Sequence, residues 1–164
     1  MVRILAATDF SEESQPVLDF AANMVRQCGG KMYLLHAVEP CVIDTAGTLS
    51  ACDIPDGIPG IELPRVGIGC EVLQMADARA KELAAEISRK WMIPIYGKAE
   101  EADNIVDCMN DFCKRHNVDI LVIGNRHHSL LTSILLGNTA EKIIRSATIP
   151  VTVVPCANVN RYHS

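Results

Sequence analysis

The chain has 164 residues and a formal charge of −5, because 20 Asp and Glu outnumber 15 Lys and Arg. That length predicts a single domain over residues 1–164, and an acidic chain without a dense basic run argues against nucleic acid as a partner. No apolar run approaches the roughly 20 residues that span a bilayer. The opening MVRILAATDF also turns polar too soon for a signal peptide, so we expect a cytoplasmic protein with no membrane partner.

Seven cysteines are many for this length, but their odd number and the absence of a CxxC spacing argue against a disulfide framework or a zinc finger. We expect most of them to be reduced thiols that pack as small apolar groups. Cys113 and His116 share a helical face and form half of a possible metal site, yet the sequence offers no obvious second half. We therefore expect no metal centre formed by the chain alone.

Apolar runs alternate with helical patterns along the chain. Strands are predicted at residues 2–9, 31–40, 92–97, 118–124 and 149–155. Helices are predicted from between Ser11 and Pro16 to residue 28, around residues 72–87, over 104–116 and from about Asn138. The alternation predicts an α/β fold: a doubly wound parallel sheet with right-handed crossovers, in which strand one neighbours strand four.

Residues 40–69 interrupt this pattern. They hold four of the eight prolines and five of the ten glycines and show no amphipathic period, which predicts a long loop. Two interpretations stay open for such a loop, a lid or interface element near the strand ends and a mobile excursion.

Two candidate site elements meet by topology, since ligands of open α/β sheets bind beyond the carboxyl ends of the strands where strand order reverses. Asp9 suits a sugar hydroxyl or a base amine, and its alternative role is a turn or capping residue before the first helix. Gly124 permits close approach of the backbone to a ligand, and its alternative role is a strand-end turn.

The segment NTAE at residues 138–141 resembles a capping box, with Asn138 as N-cap and Glu141 three residues later. A helix N-terminus also offers free N–H groups and a positive dipole end to a phosphate. Gly137, just before it, allows close approach. Helix capping and phosphate binding therefore favour the same residues at this position.

The chain resembles the universal stress protein family along essentially its whole length. The resemblance is carried, in order, by ILAATDFSEES, LLHAVEP, DILVIGNR, LLGNTAEKIIRSATIPV and VTVVP. It implies a Rossmann-like, doubly wound five-stranded sheet of order 3-2-1-4-5, of the adenine nucleotide alpha hydrolase type. It also implies a role in the stress response and a homodimer formed through the last strand.

The ATP-binding branch of that family carries GxxG, nine residues, then G followed by Ser or Thr. Gly124 and Gly137 match the first and third glycines, but His127 and Asn138 stand at the other two positions. The resemblance implies ATP or another adenine nucleotide as cofactor, with Mg²⁺ only as its companion. The implied cofactor-binding residues are Ala7, Thr8, Asp9, the backbone of Val38, Gly124, Arg126, His127, Gly137, Asn138 and Thr139.

The two departures have physical consequences. If the family glycine uses a positive φ, a histidine there costs on the order of 1–2 kcal/mol, and its ring occupies room near the phosphates of the ligand. Against this, Arg126, His127 and His128 bring donors and potential positive charge below about pH 6.5. Retained nucleotide binding and a dimeric interaction module, its site empty or holding another small molecule, are therefore both open.

Enzyme signatures are missing from the sequence. No SGGxDS loop, HxGH motif or GxSxG elbow is present, and neither Ser129 nor Ser133 has a recognisable base. At most slow ATP hydrolysis is expected, and we name no catalytic residue.

The closing segment IPVTVVP predicts an apolar edge strand. Unpaired edges are a liability unless they are covered, and self-pairing would cover this one. We expect Val151, Thr152, Val153 and Val154 to pair across a two-fold axis.

Overall fold

The computed structural model describes residues 1–40, 42–43, 49–50, 68–126 and 138–156. Its strands are β1 (Val2–Ala7), β2 (Gly30–Val38), β3 (Val42–Ile43), β4 (Leu49–Ser50), β5 (Ile95–Glu101), β6 (Ile120–Arg126) and β7 (Val151–Cys156). Its helices are α1 (Gln15–Cys28), α2 (Ile68–Trp91), α3 (Ile105–His116) and α4 (Asn138–Ser146), and a 3-10 turn over Glu12–Ser14 precedes α1.

Five strands form one parallel sheet in the order β5-β2-β1-β6-β7. Counted within that sheet alone, the order is 3-2-1-4-5, which confirms the predicted fold. Strands β3 and β4 form a separate antiparallel pair, with Val42 opposite Ser50, inside the segment predicted as a loop. Ile68 and Gly69, at the end of that segment, belong to α2. Apart from Pro40, the remainder of the segment lies outside the described residues, so its predicted role stays a prediction.

Alternate residues of the strands pack into two separate hydrophobic cores, one on each face of the sheet. Ile4 and Ala6 of β1 pack with α1 and α2 on one face, whereas Leu5 packs with α3 and α4 on the other. Strands that are buried on both faces are continuous apolar runs in the sequence, and these runs are what located the strands. None of the described helices combines the length and apolarity needed to cross a membrane.

Two strands begin and end later in the sequence than predicted. The strand predicted at residues 92–97 begins at Ile95 and continues to Glu101, because this edge strand carries polar residues that hydropathy does not reveal. The strand predicted at 118–124 begins at Ile120 and continues to Arg126. Gly124 therefore lies inside β6 and is not a strand-end turn.

The β5 edge of the sheet is covered by α2. A Cβ on Gly97 would lie 2.0 Å from the Ala80 carbonyl oxygen, so glycine is required for this close approach. Asp77 of α2 accepts the backbone N–H of Ala99 at 3.0 Å. The helix thus satisfies an edge amide that would otherwise face solvent.

The β7 edge differs from the β5 edge. The Leu121 N–H donates to the Pro150 carbonyl at 2.9 Å, and the parallel ladder between β6 and β7 continues from there. The backbone N–H and C=O groups of successive residues point to opposite sides of a strand. The N–H groups of Val151 and Val153 therefore point away from β6. Among the described strands, none pairs with this outer side of β7.

Candidate functional site

A cavity of about 280 Å³ lies at the carboxyl ends of β1, β2 and β6. Five of the predicted site residues line it, namely Ala7, Thr8, Asp9, Gly124 and Thr139. His127 and Gly137 lie outside the described residues, and Arg126 is the last residue of β6. The sheet topology therefore brings the predicted β1, β6 and α4 elements together.

Thr8 is a structural hub at the end of β1. Its N–H donates to Leu35 at 3.0 Å, and its hydroxyl oxygen accepts the Phe10 N–H at 3.0 Å. The Ser14 hydroxyl donates to the Ser11 carbonyl at 2.7 Å. Since a hydroxyl has one proton, the Thr8 hydroxyl must donate in its 3.0 Å contact with Ser14. The Thr8 hydroxyl thus holds the loop in place.

Asp9 adopts the turn role that the sequence left open. Its Oδ1 accepts the Ser11 N–H at 3.1 Å and the Ser11 hydroxyl at 2.7 Å, which forms an Asx turn. The same residue lines the cavity and is half-buried. The turn therefore orients the Asp9 carboxylate at the wall of the cavity.

His36 is a cavity residue that the sequence analysis missed. Its Nδ1 lies 2.8 Å from the Thr8 carbonyl, and because a carbonyl only accepts, Nδ1 is the donor. The Phe10 ring lies 4.2 Å away, and Phe10 adopts a left-handed backbone with φ 63°. Burial lowers the pKa of His36, although the hydrogen bond to Thr8 acts in the opposite direction. Burial of the ring therefore favours its neutral form.

Val38, the predicted backbone position, faces β5, whereas its neighbour Ala37 lines the cavity. The Val38 carbonyl accepts the Ala102 N–H at 2.9 Å, so Val38 faces β5. Leu35 faces β1, because its carbonyl accepts the Thr8 N–H. Backbone groups alternate along a strand, so Ala37 also faces the β1 side, and it lines the cavity. The sequence could not show which neighbouring strand each residue faces.

Gly124 is explained by packing within the sheet. A Cβ at this position would lie 2.7 Å from the Cys156 sulfur and 3.1 Å from Cγ2 of Val17. Apolar side chains of the core beneath α3 and α4, including Met109, Ile123 and Ile143, also line the cavity. The glycine therefore fits the strand beneath α1 as well as leaving space in the cavity.

The first turn of α4 contributes Thr139 and Ala140 to the wall. Asn138 is the first residue of the helix and is exposed, so the predicted N-cap lies one residue inside α4. Glu141 pairs with Arg145 at 2.8 Å, one turn further on. This ion pair has the i,i+4 spacing that stabilises a helix surface.

The Cys113 and His116 pair is part of a packed layer. Burial raises the pKa of the Cys113 thiol to about 11, which disfavours the thiolate that binds metals. The His116 ring lies 4.2 Å from Phe112 and 4.9 Å from Tyr33. Within the part of the chain that the structure describes, no three His, Cys, Asp or Glu side chains are grouped to hold a metal ion.

Together, the sheet order and this cavity define a doubly wound α/β protein with a ligand-sized site where strand order reverses. The family model of the universal stress protein family matches residues 1–53 and 70–155. The chain therefore belongs to the universal stress protein family.

Known relatives cover most of the chain at low identity. Universal stress protein YxiE of Bacillus subtilis (strain 168) is 26% identical over 93% of this chain and 97% of its own length. A universal stress protein solved in complex with cAMP superposes with a TM-score of 0.66 at 17% identity, covering 95% of this chain and 98% of that one. The Archaeoglobus fulgidus universal stress protein in complex with dAMP superposes with a TM-score of 0.59 at 21% identity, covering 93% of this chain and 97% of that one.

Proposed function

We propose that this universal stress protein is a stress-response regulator that binds an adenine nucleotide in the cavity, mainly through the adenosine part. The observation that carries the proposal is the Ala37 backbone, which faces the cavity beside Asp9 at the end of β1. Family members solved with dAMP and with cAMP support the ligand class.

The nucleoside end of the cavity consists of Thr8, Asp9, His36 and Ala37. Adenine presents a ring-nitrogen acceptor beside its amine donor. The N–H and C=O of one strand residue point to the same side, so Ala37 offers the complementary donor and acceptor. Asp9 then accepts hydrogen bonds from the ribose hydroxyls. This pairing selects adenine by direction of hydrogen bonding.

The phosphate end consists of Gly124, Thr139 and the first turn of α4. Among the described residues that line the cavity, none is Lys or Arg. The helix N-terminus attracts an anion, but such attraction contributes only about 0.3–1 kcal/mol at an exposed site. With His127 and Asn138 departing from the family pattern, the phosphates add little to binding, and Mg²⁺ enters only with them.

Analysis of a native preparation tests this proposal. Protein purified without added nucleotide is denatured, and the extract is separated by chromatography, with ATP, AMP and adenosine as standards. We expect an adenine compound in stoichiometric proportion to the protein. Its absence, together with no adenosine binding by the folded protein, would favour a family member that acts through protein contacts alone.

We also propose a homodimer through Val151, Thr152, Val153 and Val154. The support is the outer side of β7, which pairs with none of the described strands and to which the N–H groups of Val151 and Val153 point. Two such strands related by a two-fold axis would satisfy each other's backbone groups. If the cavity proves empty, this dimer is the second candidate function.

A further inference from the structure

The hydrogen-bond ladder between β1 and β2 stops one bond early. The Thr8 N–H donates to the Leu35 carbonyl at 3.0 Å, as a continuing parallel ladder requires. The next bond of that ladder would run from the Ala37 N–H to the Thr8 carbonyl. That carbonyl instead accepts Nδ1 of His36 at 2.8 Å. No acceptor for the Ala37 amide lies among the described residues.

The His36 ring is held in this position from several sides. Phe10 lies against it, with ring centroids 4.2 Å apart and the planes tilted by 33°. Phe10 is itself fixed, because its N–H donates to the Thr8 hydroxyl at 3.0 Å and its backbone adopts φ 63°. A non-glycine residue in the left-handed region costs about 1–2 kcal/mol, so the surrounding contacts must maintain this turn.

We propose that His36 is a positioning residue that occupies the Thr8 carbonyl and thereby keeps the Ala37 amide available to a bound purine base. The inference rests on the proposed function for its ligand, but its structural part does not. Without the imidazole donor, the Ala37 amide completes the ladder with Thr8 and is lost to the cavity. His36 thus influences the choice of base through the Ala37 amide.

A base preference follows from this arrangement. The Ala37 N–H and C=O match the acceptor and amine donor of adenine. Inosine replaces that amine with a carbonyl oxygen and carries a proton on the neighbouring ring nitrogen, so both contacts are mismatched. A site built to form hydrogen bonds discriminates strongly when partners are left unpaired. We expect the parent protein to prefer adenosine over inosine by at least about tenfold.

The first test needs no ligand, since it follows amide hydrogen exchange of Ala37 and Leu35 by NMR. In the parent, we expect Ala37 to exchange at least about 100-fold faster than Leu35. In His36→Leu, the Ala37 amide should become protected to nearly the level of Leu35. His36→Asn keeps a donor near the Nδ1 position and should restore the parent pattern. A protected Ala37 amide in the parent would overturn the proposal, even if His36→Leu fails to fold.

The second test measures adenosine and inosine affinity in the same three proteins. We expect His36→Leu to lose about tenfold in adenosine affinity and most of the preference over inosine, and His36→Asn to retain both. Parent-like affinity and preference in His36→Leu would contradict the positioning role. If the parent binds neither nucleoside while its Ala37 amide exchanges fast, the nucleotide proposal fails and the role of His36 in the ladder stands.

Discussion

The two ends of the cavity are built in different ways. At the nucleoside end, His36 donates to Thr8, and both Thr8 and Asp9 are fixed to the following loop, by hydrogen bonds of 2.7–3.1 Å. At the phosphate end, the described wall consists of strand β6 and the first turn of α4. The first arrangement presents donors and acceptors in fixed directions, whereas the described part of the second offers an anion the diffuse attraction of a helix N-terminus. We therefore expect recognition to reside in the base and the sugar.

Asp9→Ala should have the largest effect on binding. Losing a hydrogen bond to a charged group costs about 1.5–3 kcal/mol, so adenosine and ATP affinity should both fall by roughly 10- to 150-fold. Titration calorimetry measures both ligands. Asp9→Asn is a control that keeps the Ser11 turn but removes the charge, and Asp103→Ala removes an exposed carboxylate elsewhere. An effect on ATP alone would place Asp9 at the phosphate end instead.

Thr8→Val should weaken the nucleoside end through its scaffold. The substitution keeps the side-chain shape but leaves the Phe10 N–H without its acceptor, so the free energy of unfolding should fall by about 1–3 kcal/mol. Urea denaturation monitored by the single Trp91 measures this change. Thr8→Ser retains the hydroxyl and should lose much less. Equal stability of Thr8→Val and parent would show that the Thr8 hydroxyl is not needed.

Val153→Pro should leave both ends of the cavity unchanged. Its N–H points away from β6, so proline there spares the ladder within the sheet but blocks pairing with a second copy. Light scattering should show a dimer for the parent and a monomer for the variant, with adenosine affinity within about twofold. Thr152→Pro, whose N–H faces β6, is the matched control and should destabilise the fold itself. A monomeric parent at micromolar concentration would contradict the proposed interface.

Periodicity and family resemblance predicted the sheet order, and topology predicted that Asp9 and Gly124 would line one cavity. The remainder depended on contacts that lie far apart in sequence. Whether Ala37 or Val38 faces the cavity depends on which strands flank β2, and the packing role of Gly124 depends on Cys156. His36 was missed because one histidine in an apolar strand carries no periodic signal, although its partner Thr8 was a candidate.

Comparing adenosine with ATP by titration calorimetry, in the parent and in His127→Gly, Asn138→Ser, tests the central claim most directly. We expect the parent to bind the two ligands with affinities within about threefold of each other, because the phosphates add little. The double substitution should restore the family pattern and tighten ATP selectively, by about 5- to 30-fold if it relieves 1–2 kcal/mol of backbone strain. ATP binding that is far tighter than adenosine binding in the parent, or unchanged in the double variant, would contradict this account.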